Sequence, residues 1–369
     1  MNKNKEIPFL KPFMPPMNEF QPYLERIWAS GQLTNNGEIH KEFEKALCEF
    51  LGVKHICLFA NASLALIIAI KVLDLKGEII TTPFTYVATS QAIYWNNLKP
   101  VFVDINETDF NINVEEIERA ITPKTSAILP VHIFGNPCNV NKINELAKKY
   151  NLKVLYDAAH CFGVEINENS ICNFGDLSVL SFHATKVFNT FEGGAIICKD
   201  EKTKQKIDAL KNSGLDLNQN LLGYGLNAKM NEIQAAFGLV QLNHIDEIIE
   251  KRKKASQHYR ELLKDINGIR FLNDFENVKH NYSYFPIIIN IEIFGKTRDE
   301  IFEHLSDLNI VCRKYFYPLV SSYPGFNVFK SNDIRVAEKI SKNIICLPLS
   351  HNISNSEINF IVDAIRKLK

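Results

Sequence analysis

Ser181-Phe182-His183-Ala184-Thr185-Lys186, with Glu192-Gly193-Gly194-Ala195 a short spacer later, sets a lysine in the turn after an apolar run, Leu177 to Phe182. Such a run reads as a buried strand. An ammonium at its end is costly unless the charge is paired or neutralised. Condensation with an aldehyde cofactor neutralises it, and pyridoxal 5′-phosphate is the usual aldehyde in proteins. Upstream, Val154-Leu155-Tyr156-Asp157-Ala158-Ala159-His160 places a carboxylate at the end of another apolar strand. Pyridoxal phosphate needs both groups, an amine to form the imine and an anion to keep the pyridine nitrogen protonated. Lys186 and Asp157 are therefore the candidate catalytic pair.

Outward from these motifs, short β-rich runs alternate with amphipathic helical ones. Strands are expected at His55–Phe59, Glu78–Thr81, Pro100–Val103, Ser126–Val131, Lys153–Tyr156, Ser178–Phe182 and Gly194–Cys198, and helices at Ser63–Leu73, Val87–Trp95 and Val140–Tyr150. The alternation predicts an α/β fold with a mostly parallel sheet covered on both faces. Ligands of such sheets bind at the carboxyl ends of the strands, where Asp157 and Lys186 fall. A charged helical pattern from about Asn243 to Leu263 leaves this unit. Tyr284–Ile291 and Ile310–Tyr315 then read as parts of a smaller α+β domain, and Ser331–Ser356 reads as looser than the rest.

With 369 residues, 46% of them hydrophobic, the chain has material for a large core and a smaller partner domain. Lys+Arg and Asp+Glu balance at 42 each, which argues against nucleic acid or an anionic membrane surface as partner. The eight cysteines are scattered, without a C-x-x-C, and mostly lie in apolar runs. They read as reduced core residues of a cytoplasmic protein, and no H-E-x-x-H or similar cluster points to a metal. Met1–Pro16 has no apolar stretch of signal-peptide length, and no segment approaches a membrane span.

Ala60-Asn61-Ala62-Ser63-Leu64-Ala65 marks a strand end and a helix start. Free N–H groups and the helix dipole favour an anion there, with the Ser63 hydroxyl as a further donor. The same Asn and Ser also suit a plain N-cap without ligand. Tyr86, after the next strand, is placed to lay its ring over a planar cofactor, or to be one core aromatic among many. Gly223-Tyr224-Gly225-Leu226-Asn227-Ala228 matches G-x-G-x-x-A, but no strand precedes it. The dinucleotide reading fails on that context, and the stretch reads as a loop entering a helix over Asn231–Leu242.

Seven segments carry a family resemblance in order: Leu33–Gly37, Asn61–Leu66, Pro83–Thr89, Pro130–Gly135, Asp157–His160, Ser181–Lys186 and Gly225–Glu232. Over nearly all its length the chain resembles the DegT/StrS-type nucleotide-sugar aminotransferases of the aspartate aminotransferase fold, pyridoxal-phosphate transferase type I. The resemblance implies a large cofactor-binding domain with an N-terminal arm over 1–245 and a small C-terminal domain over 246–369. It implies that Lys186 forms the imine and then moves the proton between cofactor and substrate carbons, and that Asp157 pairs with the pyridine nitrogen. His160 stands where many relatives carry Gln. It would hydrogen-bond the phenolic oxygen, or else be a satisfied core histidine. Ala62, Ser63 and Ser181 would bind the phosphate and Tyr86 would stack on the ring. Asn227 would reach the phosphate of the neighbouring subunit, which requires a homodimer with shared active sites. Phe191 departs from the pattern, since many relatives have Gly before Glu-Gly-Gly.

The residues from Leu155 to Val164 and from Ser181 to Gly194 look most like the branch that aminates dTDP-4-keto-6-deoxy-D-glucose with L-glutamate for bacterial surface glycans. Branches acting at a 3-keto carbon more often show Ser-Phe-Tyr-Pro-x-Lys, whereas this chain has His183-Ala184. A dTDP-3-keto-6-deoxyhexose and UDP- or GDP-linked keto sugars stay open as substrates. Relatives with His in place of the imine lysine carry out dehydration; Lys186 favours transamination.

Overall fold

The computed structural model describes residues 6–216, 218–329 and 333–369. The start of Met1–Pro16 and the first two residues of the tract 331–356 lie outside the described residues. Helices α1 (Met17–Ser30) and α2 (Glu38–Leu51) precede β1 (His55–Phe59), α3 (Ala62–Val72), β2 (Glu78–Thr81), α4 (Val87–Trp95), β3 (Lys99–Phe102) and α5 (Val114–Ala120). Then follow β4 (Thr125–Leu129), α6 (Val140–Tyr150), β5 (Lys153–Asp157), the short β6 (Glu165–Ile166) and β7 (Asn169–Ser170), β8 (Leu177–Ser181) and β9 (Gly194–Cys198). Three helices come next, α7 (Glu201–Lys211), α8 (Glu232–Leu242) and the long α9 (Ile245–Leu263). The chain continues through β10 (Ile269–Phe271), β11 (Val278–Lys279), β12 (Phe285–Ile289), α10 (Ile291–Phe294), α11 (Arg298–Asp307), α12 (Arg335–Asn343), β13 (Ile344–Leu347) and α13 (Asn355–Arg366).

Seven strands make the main sheet in the order β1-β9-β8-β5-β4-β2-β3. All neighbours pair parallel except β9, which runs antiparallel to both β1 and β8. Apolar residues face both ways from each strand. On β1, Ile56 and Leu58 enter one core while Cys57 and Phe59 enter the other, and Ala195 and Ile197 alternate with Ile196 and Cys198 on β9 in the same way. A strand of this kind needs cover on both faces. Residues of α1, α2, α6 and α8 provide it on one face, and of α3, α4 and α7 on the other. Antiparallel β10, β12 and β13 form a second sheet, whose apolar face packs with α9, α11 and α13.

Two close approaches fix how these parts meet. Because β9 is antiparallel, its first residue, Gly194, lies beside Phe59 and Ser181 at the carboxyl ends of β1 and β8. A Cβ there would sit 2.6 Å from the Ala62 nitrogen, so only glycine lets β9 pass under the start of α3. The second involves Glu232 in the first turn of α8. Its carboxylate accepts the N–H groups of Gly37, Ile39 and His40 at 3.0, 3.0 and 3.2 Å, closing the N-terminus of α2. A carboxylate on otherwise orphaned helical donors is favoured by hydrogen bonding and by the dipole together.

The tract 331–356 is not loose over its described part. It holds α12, with Ala337 and Ile340 buried, and β13, whose four residues are all buried. Polar residues at both ends of the tract mask a short Ile-Ile-Cys-Leu strand, and Asp104 closes α12 from outside by accepting the Val336 and Ala337 N–H groups.

Gly238 of α8 tests the packing. Gly→Ala within a helix ordinarily stabilises by about 1 kcal/mol. Here the new Cβ would lie 2.3 Å from the Phe43 ring, which is fully buried against Phe182 and Phe188. Overpacking of this kind costs about 1–3 kcal/mol, so Gly238→Ala should lower the denaturant midpoint. A raised midpoint would show that Phe43 gives way.

Candidate active site

A cavity of about 620 Å³ opens at the carboxyl ends of the main sheet. Asn61, Ala62 and Ser63 border it from α3, Thr85, Tyr86 and Thr89 from the start of α4, Asp157 and His160 from the end of β5, and Ser181 and Lys186 from the end of β8. Tyr284, Tyr315 and Phe316, from beyond α9, close the opposite side.

Asp157 is buried. Its Oδ2 accepts the Thr89 hydroxyl at 2.8 Å and its Oδ1 the Ala159 N–H at 3.1 Å, which leaves lone pairs on both oxygens for a donor in the cavity. Thr85 in turn bonds Thr89 at 3.0 Å. Burial raises the carboxyl pKa, opposed by these donors and by the Lys186 charge. Lys186 presents Nζ to the same space. Burial lowers its pKa to about 8, with Asp157 acting in the other direction. An amine so shifted has a larger neutral, nucleophilic fraction near neutral pH than a free lysine.

His160 accepts the Phe134 N–H on Nδ1 at 3.1 Å, and its pKa is pushed well below the ordinary value by burial and then by Lys186. A neutral ring that accepts on Nδ1 carries its proton on Nε2, as a donor. Asn61 Oδ1 takes the Leu64 N–H at 3.0 Å. With that cap in place, the Ala62 and Ser63 N–H groups remain free at the helix start, beside Ser181. Tyr86 sits at the mouth, 63% exposed.

Asn227 is the one expected site residue that the chain does not bring to its own cavity. It is exposed and accepts the Lys229 ammonium at 2.9 Å. Phe191 has φ +62°, the left-handed conformation that a glycine adopts without strain, and its ring packs on Phe237 with centroids 4.2 Å apart. Tyr284, Tyr315 and Phe316 escape a reading of the sequence, and Thr89, although inside the Pro83–Thr89 segment, is given no role there. Only Thr89 has a local sign, one helical turn beyond Thr85.

The donor set fits pyridoxal phosphate. A lysine amine of lowered basicity, a buried carboxylate with open lone pairs and a helix start that admits no Cβ at Gly194 answer the aldehyde, ring nitrogen and phosphate of that group. Among the described residues no cluster of His, Cys, Asp or Glu could hold a metal ion, and no helix is long and apolar enough to cross a membrane. Fold and site together define a pyridoxal-phosphate-dependent aminotransferase with the aspartate aminotransferase fold. The chain belongs to the DegT/DnrJ/EryC1/StrS aminotransferase family, which it matches over residues 16–366.

It is 49% identical to a dTDP-4-amino-4,6-dideoxy-D-glucose transaminase of Shigella dysenteriae, over 99% of this chain and 100% of that one. An Escherichia coli protein of the same name is 48% identical over 96% of each. Among solved structures, DesI in the presence of its TDP-sugar product superposes with a TM-score of 0.94 at 31% identity, over 98% of this chain and 93% of that one.

The shifted amine gives a direct prediction. In cofactor-free protein, modification of Lys186 by an amine reagent should rise with pH through a midpoint near the value of about 8, below the ordinary 10.5. Since Asp157 raises that value, Asp157→Asn should move the midpoint lower. A midpoint near 10.5 would mean a fully solvated amine.

Proposed function

We propose that this enzyme moves the amino group of L-glutamate onto C4 of dTDP-4-keto-6-deoxy-D-glucose, giving dTDP-4-amino-4,6-dideoxy-D-glucose for surface glycans such as O-antigen. The observation that carries the reading is near full-length identity of 49% to a transaminase named for that product. The rim of the cavity supports it. His183 bonds Thr185 at 2.8 Å through Nδ1 and lies 3.5 Å from the Glu192 carboxylate through Nε2, a polar edge suited to sugar hydroxyls.

The bound cofactor supplies an electron sink for the carbon that gains or loses the amino group. Lys186 would be its attachment point and, once free of it, would hold at Nζ the proton that is moved. Asp157, held by Thr89 and Ala159, would keep the ring nitrogen protonated. His160 would donate from Nε2 to its phenolic oxygen, Tyr86 would stack on its ring, and Ala62, Ser63 and Ser181 would hold its phosphate. Asn227 serves the partner's site in a cytoplasmic homodimer. Its place outside the cavity and the exposed Leu221, Leu222 and Tyr224 of the same loop, Tyr224 at 91%, support that assembly. The large domain spans 1–245 and the small one 246–369.

Lys186→Ala should abolish turnover and the borohydride-sensitive visible band; near-normal turnover would remove Lys186 from the mechanism. Asp157→Asn should lose several powers of ten in kcat, each worth about 1.4 kcal/mol of barrier. Retention of more than roughly a tenth of the rate would refute its role.

The substrate is tested by product analysis. With glutamate as donor, NMR should place nitrogen at C4 of the dTDP sugar, and the 3-keto isomer should react poorly. Nitrogen at C3, or reaction only with UDP- or GDP-sugars, would overturn the substrate and leave the aminotransferase intact.

A further inference from the structure

Tyr284 stands immediately before β12, and its phenolic oxygen lies 3.4 Å from Lys186 Nζ. The ring is 8% exposed and clamped on several sides. Phe9 lies nearly parallel to it at 6.2 Å between centroids, while Phe134, His160 and Tyr315 meet it edge-on at 5.7, 4.9 and 5.8 Å. Burial pushes its hydroxyl pKa up, so the phenol keeps its proton.

The backbone that carries Tyr284 is fastened to the loop after β5 that carries His160. Asn281 Nδ2 donates to the His160 and Phe162 carbonyls at 2.8 and 2.9 Å, and Ser283 Oγ donates to the same His160 carbonyl at 2.7 Å. From α9, Arg252 donates to the Tyr282 and Ser283 carbonyls at 2.8 and 2.6 Å. The guanidinium is buried among these carbonyls, an expensive way to hold a strand entry that packing alone would not call for. Tyr284 thus reaches Lys186 from a segment with little freedom to shift.

We propose that Tyr284 is a catalytic residue whose hydroxyl holds the Lys186 amine whenever that amine is free of the cofactor; this rests on Lys186 being the reactive lysine. A protonated phenol serves both forms of the amine, accepting from the ammonium and donating to the neutral lone pair. It turns the end of a flexible four-carbon chain into a placed base, and misplacement by about 1 Å costs roughly a hundredfold in rate.

Tyr284→Phe keeps the ring and removes the oxygen. Three quantities are measured: kcat, the KM values, and the rate at which cofactor-free protein takes up pyridoxal phosphate. In the uptake the amine forms a C=N bond, water leaves and the visible band grows. Both rates should fall on the order of 10- to 100-fold, with KM values within about twofold. Wild-type rates, or a change confined to KM, would overturn the proposal. Should Tyr284→Phe fail to fold, trifluorotyrosine at 284 retains ring and hydroxyl; rates that shift with phenol acidity support the role and unchanged rates overturn it. Borohydride fixation and peptide mapping of the wild type separate the two readings. Label on another lysine ends the assignment of Lys186 and of Tyr284 with it, whereas label on Lys186 beside a silent Tyr284→Phe ends only the latter.

Discussion

The site is built where Gly194 passes beneath Ala62. A single methyl on Gly194 would occupy the space of the Ala62 nitrogen, so the contact sets how closely β9 can lie to the first turn of α3. β9 is also the strand that reverses direction between β1 and β8. Its reversal brings a chain start, with no side chain to clear, to the edge where its neighbours end. The free N–H groups of α3 and the hydroxyl of Ser181 are thereby gathered at one corner, and the loop from Ser181 to Gly194 brings Lys186 to the same cavity. One steric constraint thus orders the anion corner and the reactive amine together.

Asp157, Lys186 and His160 are each shifted toward the uncharged form, and burial is the largest cause in all three: Asp157 upward, Lys186 and His160 downward. Polar contacts then decide what each can do. Thr89 and the Ala159 amide steady the carboxylate and leave a lone pair open on each oxygen. The Phe134 amide settles the tautomer of His160. A planar, charged cofactor is recognised here less by preformed ion pairs than by groups whose desolvation has already been met by folding.

Much of this was legible in the sequence because the chemistry sits next to strongly patterned elements. β1, β2 and β9 have the bounds that their apolar runs suggest, and Asp157 and Lys186 lie within a few residues of strand ends. The family motifs cover Asn61, Thr85, Thr89 and Ser181 for the same reason. Tyr284, Tyr315 and Phe316 were not legible: a tyrosine ahead of a strand has no local signature, and its approach to Lys186 depends on where α9 turns the chain back. β13 was hidden by its polar surroundings. α2 lies before the alternation begins, although Ile39, Phe43, Leu47 and Leu51 mark its buried face at four-residue spacing.

The carboxylate of Glu232 that closes α2 comes from 195 residues after Gly37. At a synthesis rate of roughly 5–20 residues per second, the two are separated by about 10–40 s on the ribosome. Throughout that interval the start of α2 has no internal acceptor and its apolar stripe has no α8 to lie against. The amino-terminal helices therefore emerge early but settle late, and a nascent chain stalled before Glu232 leaves the apolar stripe of α2 without its α8 cover.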